Sequence, residues 1–183
     1  MSYFMYVKGL SELEKQENWD RARDLLYKSW KSDTQSCEKL VRLMAECWYV
    51  LSLWDCSIKT ENLCQKMFMD NLIECTHYGL SNSMDCHRFL CVGGYMISTL
   101  PHLFYNNDTG NSYTEWEKQG MTMLQKSRNL DSSDLIAKIF YLGFTTNLTE
   151  YDESKRLIQP HLEELFPKKT AIEEYFADIL SIH

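Results

Sequence analysis

Glycine and proline are scarce in this chain, 7 and 3 among 183 residues. So few flexible joints and helix breakers favour long helices over many short turns. Long hydrophobic runs are also missing. No uncharged apolar stretch reaches the roughly 18 residues that a membrane span needs, so no membrane partner is expected. Positive charge is short as well: 19 Lys+Arg stand against 26 Asp+Glu, a net charge of -7. A chain this acidic is poorly suited to grip a phosphate backbone, which calls for a basic face, so no nucleic-acid partner is expected. The opening MSYFMYVKGL lacks the basic region and small-residue cleavage site of a secretory signal. Cysteine is not scarce but odd in number, at seven. Cys47, Cys56, Cys64, Cys75, Cys86 and Cys91 fall in the middle of the chain, mostly among apolar residues. The expectation is reduced, buried thiols in a cytoplasmic protein, not a disulfide framework. On that reading the glycosylation sequons at Asn107 and Asn147 are chance matches.

What is present is enough to build a core. Hydrophobic residues make up 44% and aromatics 13%, so burial can offset ordering entropy. A single helical domain over 1–183 is expected, with NNDTGNS (106–112) as the one candidate for an internal boundary. The hydrophobic period is helical nearly throughout, giving about nine helices. A first covers 2–15. A second spans 17–33, with Asn18 as its cap and Trp19, Ala22, Leu25, Leu26 and Trp30 on one face. A third follows Ser36 and carries a wide apolar side from Leu40 to Trp54, which marks it as central. A fourth fits 58–78 and closes at Gly79. A fifth runs over 83–105, with Pro101 kinking or ending it. Its FLCVGGYMISTL stretch, tempting as a strand, reads as a buried helix with a close-packing spot at Gly93-Gly94. Four more fit 113–129, 133–146, 151–165 and 168–181, with Pro160 as a break inside the third of these.

Residues 17–33, ENWDRARDLLYKSWKSD, echo 115–131, EWEKQGMTMLQKSRNLD. Glu17 meets Glu115, Leu26 meets Leu124, Lys28 meets Lys126, Ser29 meets Ser127 and Asp33 meets Asp131, while small Ala22 meets small Gly120. A third copy puts Ser154 at the small site and Ile158 at the leucine site, and Gly120 and Ser154 are 34 residues apart. Asn18-Trp19, Ala22, Leu26 and Asp33 resemble the second helix of a tetratricopeptide repeat, with Thr34 where proline is common. There a small residue lets two helices approach and large ones fill the groove between them. The resemblance covers about a third of the chain. It implies antiparallel helical hairpins stacked side by side; an irregular α-bundle is the alternative.

Chemistry is thinly represented. Glu74-x-x-His77 has the spacing of di-iron carboxylate bundles, but no second pair accompanies it. Cys75, His77, Cys86 and His87 lack the spacing of structural zinc sites. No metal site and no cofactor is expected. Arg156 to His161, RLIQPH, is similar to the Arg-x4-His motif of the HEPN ribonucleases, which implies cleavage at an RNA phosphate by Arg156 and His161. Leu157 stands where that family usually has a polar residue. The acidic residues Asp20, Asp24, Glu115, Glu117, Asp152 and Glu153 gather near the starts of the echoing helices. Their placement suits the helix dipole, and it also forms an acidic rim for a basic partner. Tyr27 and Trp30, at the edge of their stripe, are candidate interface anchors beside that rim. The reading is a non-enzymatic protein-binding chain. A small acidic protein of this kind resembles toxin-immunity proteins and antitoxins, which neutralise a basic nuclease toxin. A helical ribonuclease and a sensor of a peptide or small ligand are the alternatives.

Overall fold

The computed structural model describes residues 2–105 and 112–182. They are all-α, with no strand among the described residues. The helices are α1 (Leu10–Lys15), α2 (Trp19–Lys31), α3 (Cys37–Ser52), α4 (Gln65–Asn82), α5 (His87–Thr99), α6 (Tyr113–Leu130), α7 (Leu135–Gly143), α8 (Leu148–Ile158), α9 (Leu162–Leu165) and α10 (Ala171–Leu180). Short 3-10 turns cover Pro101–Leu103 and Gln159–His161, so both prolines end a helix as their missing N–H requires. The candidate boundary at 106–112 lies, apart from Ser112, outside the described residues.

Three layers result. α3, α5 and α7 pack side by side in the middle. α2, α4, α6 and α8 cover one face of them, with Trp30 against Tyr78 and His77 against Trp116 where outer helices meet. α10 crosses the other face: its Tyr175 packs on Trp48 and Tyr49 of α3 and its Phe176 on Tyr95 of α5 and Phe140 of α7. The sequence sorts the layers. α3 is apolar nearly all round and buries eleven of its sixteen residues. α2 and α6 bury one stripe each, as helices covered on a single face do.

Each outer helix hands over to its inner partner through the same turn. Ser36, Cys86 and Asp134 cap α3, α5 and α7, and each N–H donates to the carbonyl three residues back, on Asp33, Ser83 and Asp131. Each capping carbonyl then accepts the helix's first bond, from Leu40, Leu90 and Lys138. α2–α3, α4–α5 and α6–α7 are thus three copies of one hairpin, roughly 50 residues apart, a spacing typical of tandem helical units.

Counting back from these caps places Ala22 and Leu26 of α2 opposite Gly120 and Leu124 of α6, all fully buried. In α4 the same two places hold Leu72 and Thr76, large and small exchanged, also fully buried. Thr76 Oγ1 satisfies itself on the Leu72 carbonyl at 2.7 Å. Seven residues before each cap stand Ser29, Gly79 and Ser127, small in every copy.

Two expectations about glycine separate here. Gly94 is a close-packing point as expected: a Cβ there would lie 3.0 Å from the Gly120 carbonyl oxygen, and one on Gly120 would lie 2.4 Å from Ser98 Oγ. Gly79, expected to end the fourth helix, lies inside α4 instead. Its missing Cβ leaves room for the Phe89 ring, which a methyl group would meet at 2.2 Å. The helix therefore starts and ends later than its periodicity suggests, and residues 53–64 form a loop in which Trp54 packs edge-on against Phe68.

The first helix is shorter than expected, beginning only at Leu10 after a left-handed Gly9 (φ 83°). Residues before it run alongside the C-terminal segment, with Tyr3 N donating to Leu165 O at 2.7 Å and Phe4 against Phe166 and Phe176. Aromatic burial between distant segments overrides the local helical pattern. The cysteines also differ from expectation. Cys37 and Cys86, at the equivalent starts of α3 and α5, form a disulfide across a Cα separation of 6.8 Å. Cys47, Cys75 and Cys91 are buried thiols, whereas Cys56 and Cys64 are exposed in the 53–64 loop.

Candidate functional site

The acidic and aromatic residues singled out by the sequence separate into three groups. On α2, Asp20 and Asp24 bracket Arg23, at 2.9 and 2.7 Å from its guanidinium. Arg23 is 5% exposed and lies over the Phe68 ring at 4.9 Å, so these carboxylates neutralise a sunken cation. Tyr27 donates to Glu74 at 3.2 Å, and Lys31 bonds the same carboxylate. Trp30 is 1% exposed, wedged between Tyr27 and Tyr78. It is a core residue, not a surface anchor, because α4 covers the edge of its stripe. Glu115 closes a capping box with Ser112 at the start of α6, and that hydrogen bonding holds its carboxyl below the usual range.

The remaining group is different. Glu117 on α6 and Asp152 and Glu153 on α8 are exposed and form no ion pair among the described residues. Glu117 lines an open cleft at the edge where α5 and α7 end, beside Lys118, while Tyr151 across it carries the Lys155 ammonium 5.7 Å from its ring. Two hollows of ≈ 320 and ≈ 560 Å³ meet there, sharing Ser98 and Phe144. Tyr95, Phe140 and Tyr151 wall one side, and Met121 and Tyr141 the other. Tyr95 stacks on Phe140 at 4.3 Å and bonds the Tyr175 hydroxyl at 2.7 Å, which holds the wall rigid. Burial raises the Tyr151 phenol pKa, and the Asp152 charge beside it raises it further. At the junction, the Ser98 hydroxyl is buried and has no hydrogen-bond partner. Neither α5 nor α7 has a basic residue in its last turn, so the partial negative charge of both helix ends is unopposed by their own side chains.

The catalytic candidates do not assemble. Glu74 is engaged by Tyr27 and Lys31, while His77 is exposed against Trp116. Cys75 is buried, its thiol pKa pushed far up by burial and then by the Glu74 charge. Cys86 is disulfide-bonded, and His87 lies 3.4 Å from Asp134. No group of three or more His, Cys, Asp or Glu suited to a metal ion occurs among the described residues. Arg156 is exposed on α8. His161 lines a separate hollow of ≈ 350 Å³ with Asp131, Asp134 and Glu164, where carboxylates predominate and an RNA phosphate would be repelled.

One ionic cluster escaped the sequence reading. Arg42 of α3, 1% exposed, donates to Glu46 at 2.9 Å and to Glu14 of α1 at 2.7 Å. The second Glu14 oxygen accepts from Ala171 N at 2.5 Å, at the start of α10. Burial, then the Glu46 charge, push the Glu14 carboxyl pKa up to about 8, against the pull of Arg42 and the Ala171 N–H. The signal was available: Arg42 and Glu46 stand at i,i+4 inside an otherwise apolar stripe. The distant carboxylate that completes the cluster had no local mark.

No family model, no curated protein and no solved structure matches this chain. The class that fold and site define is an all-α array of helical hairpins with an open, aromatic-walled cleft at one edge. No helix is long and apolar enough to cross a membrane among the described residues.

Proposed function

We propose that this is a non-enzymatic protein-binding chain, a tetratricopeptide-like hairpin array acting as an immunity protein or antitoxin toward a basic nuclease toxin in the cytoplasm. The observation that carries the reading is the net charge of -7, which favours a cationic partner, speeds its encounter and helps select it. The open cleft at the ends of α5 and α7, where Phe144 is left 40% exposed, offers an apolar contact beside it.

Two other readings receive less support. A peptide sensor built on a hairpin array would use the face of the inner helices, and α10 fills that face with Tyr175 and Phe176. A ribonuclease at His161 would need cations where Asp131, Asp134 and Glu164 stand. The test is direct binding, by calorimetry, to any basic toxin domain that sequencing finds encoded beside the gene. Nanomolar association and loss of toxicity support the proposal; absence of binding removes it.

A further inference from the structure

We infer that Cys37–Cys86 is a thiol–disulfide exchange site: a dithiol reductant opens it by attacking the Cys37 sulfur, and Cys86 leaves as a thiolate that caps α5. Neither step depends on the protein-binding reading.

The three equivalent turns differ at one point. In the first, the Ser36 side chain accepts from Lys39 N at 3.4 Å. In the third, Asp134 accepts from Ile136 N at 2.7 Å and from Ala137 N at 3.3 Å. Cys86 holds the same N-cap place, yet its side chain accepts nothing. The counterparts of the two amides that Asp134 serves are those of Arg88 and Phe89. Bonded to Cys37, the Cys86 sulfur serves neither. Freed as a thiolate, it stands where the Asp134 carboxylate stands in the sister turn, an anionic cap at a helix N-terminus. That position favours thiolate over thiol, and a stabilised thiolate is the better leaving group. Cys37 has no such outlet. It is the first helical residue of α3, one place past the cap, where Ser36 already serves the Lys39 amide. Attack on the Cys37 sulfur is therefore the favoured route.

Packing makes the exchange accessible and reversible. Cys37 and Cys86 are half-buried, whereas Cys47, Cys75 and Cys91 are sealed in the core. The two hairpins stay stacked without the bond. Met44 of α3 reaches Gly93 of α5, Trp48 meets Tyr95 edge-on at 6.1 Å, and Glu38 pairs with Arg88 at 3.4 Å across the same two helix starts. The sulfurs thus remain side by side after reduction, ready to rejoin. Charges around them are largely matched: Lys39 with Asp33, Arg88 with Glu38, and His87 facing Asp134. Asp85, exposed beside the cap, acts through water and is screened. The free amides of α5 therefore decide which thiolate is favoured.

In the exchange, one thiolate of the dithiol bonds the Cys37 sulfur, the Cys37–Cys86 bond breaks and Cys86 departs with the electron pair. The second thiolate of the dithiol then displaces Cys37 and closes the reductant's own disulfide. The protein pair gains two electrons and the dithiol loses two. Of the dithiol's two protons, one ends on Cys37 and one passes to solvent while Cys86 remains a thiolate.

The experiment uses the whole chain with Cys56→Ser and Cys64→Ser, which removes the other exposed thiols from the readout. Native protein is treated at neutral pH with glutathione, a monothiol that stops at the first step, then quenched with iodoacetamide and mapped by mass spectrometry. Glutathione is expected on Cys37 and the alkyl label on Cys86, in about tenfold excess over the reverse. After full reduction by dithiothreitol, Cys86 should reach its half-maximal alkylation rate about one pH unit or more below Cys37. The Arg88 and Phe89 amide signals should shift on reduction, and glutathione disulfide should restore the bond without urea. The inference is overturned by glutathione on Cys86, by an even split, by coincident alkylation midpoints, or by reduction that proceeds only in urea. It also falls if protein purified without reductant carries no Cys37–Cys86 bond.

Discussion

Burial and the Glu46 charge raise the Glu14 carboxyl, and that displacement ties stability to pH. With its carboxyl raised from 4.5 to about 8, the folded chain binds more protons than the unfolded chain throughout that interval. Stability is therefore fully supported below about pH 4.5 and falls as pH rises through 8. At about 1.36 kcal/mol per unit of pKa displacement, the whole effect has a ceiling near 5 kcal/mol, of which about 4 kcal/mol is lost between pH 5 and pH 9. Above that range the Glu14 carboxylate is charged in a site where Arg42, Glu14 and Glu46 are all buried. Glu14→Gln removes the titration and keeps the shape. Its amide can reach Glu46, whose Oε1 has no partner, at the expense of a bond from Arg42. Urea unfolding of both proteins from pH 5 to 9 measures the difference directly, with Cys56 and Cys64 replaced by Ser to prevent thiol exchange. The parent should lose about 4 kcal/mol relative to Glu14→Gln across the window, being the more stable at pH 5 and losing that lead by pH 9. A difference that stays flat with pH would refute the assignment of the proton to Glu14.

Reducing the Cys37–Cys86 bond, which closes a sequence separation of 49, should cost about 4 kcal/mol by chain entropy; urea midpoints with and without reductant measure it, and Cys37→Ser should abolish the response. Gly79→Ala should destabilise by about 1–3 kcal/mol through the Phe89 ring, and Phe89→Leu in the same chain should recover most of that loss in a double-mutant cycle. Trp30→Ala should cost about 3–5 kcal/mol as a core truncation. Glu117→Lys should stay within about 0.5 kcal/mol of the parent in thermal unfolding, because nothing inside the chain depends on that carboxylate.

The helical class was legible because periodicity, capping residues and the shortage of glycine and proline all point the same way. The close contact at Gly94 and the end of α5 at Pro101 were legible for equally local reasons. The repeat was only half visible. Its sequence echo jumps from α2 to α6 because α4 carries Leu72 and Thr76 in exchanged order, which fills the same space with the opposite pattern. The turns at Ser36 and Asp134 both open on aspartate, Asp33 and Asp131, but the turn at Cys86 opens on Ser83 and shares only their hydrogen-bond scheme, so the fold alone aligns it with them. The disulfide was missed for that same reason: its cysteines meet only when two hairpins stack. Of the eight candidate site residues, Glu117 lines the cleft, and a stripe-edge argument misplaced Trp30 because it cannot see the helix that covers the edge. Phe144 and Ser98 carried no sequence signal, being ordinary residues at ends of helices that converge only in the fold.

α10 brings together residues from the two extremes of the chain, and this has a consequence for how the molecule forms. Hairpins such as α2–α3 need only nearby residues and can form while synthesis continues. The aromatic face of α3, α5 and α7 has no cover until Tyr175 and Phe176 arrive, and Glu14 waits for Ala171 across 157 positions. Completion therefore waits until α10 has been translated. A chain released before α10 would expose Trp48, Tyr95 and Phe140 together, the kind of surface that chaperones hold and aggregates grow from.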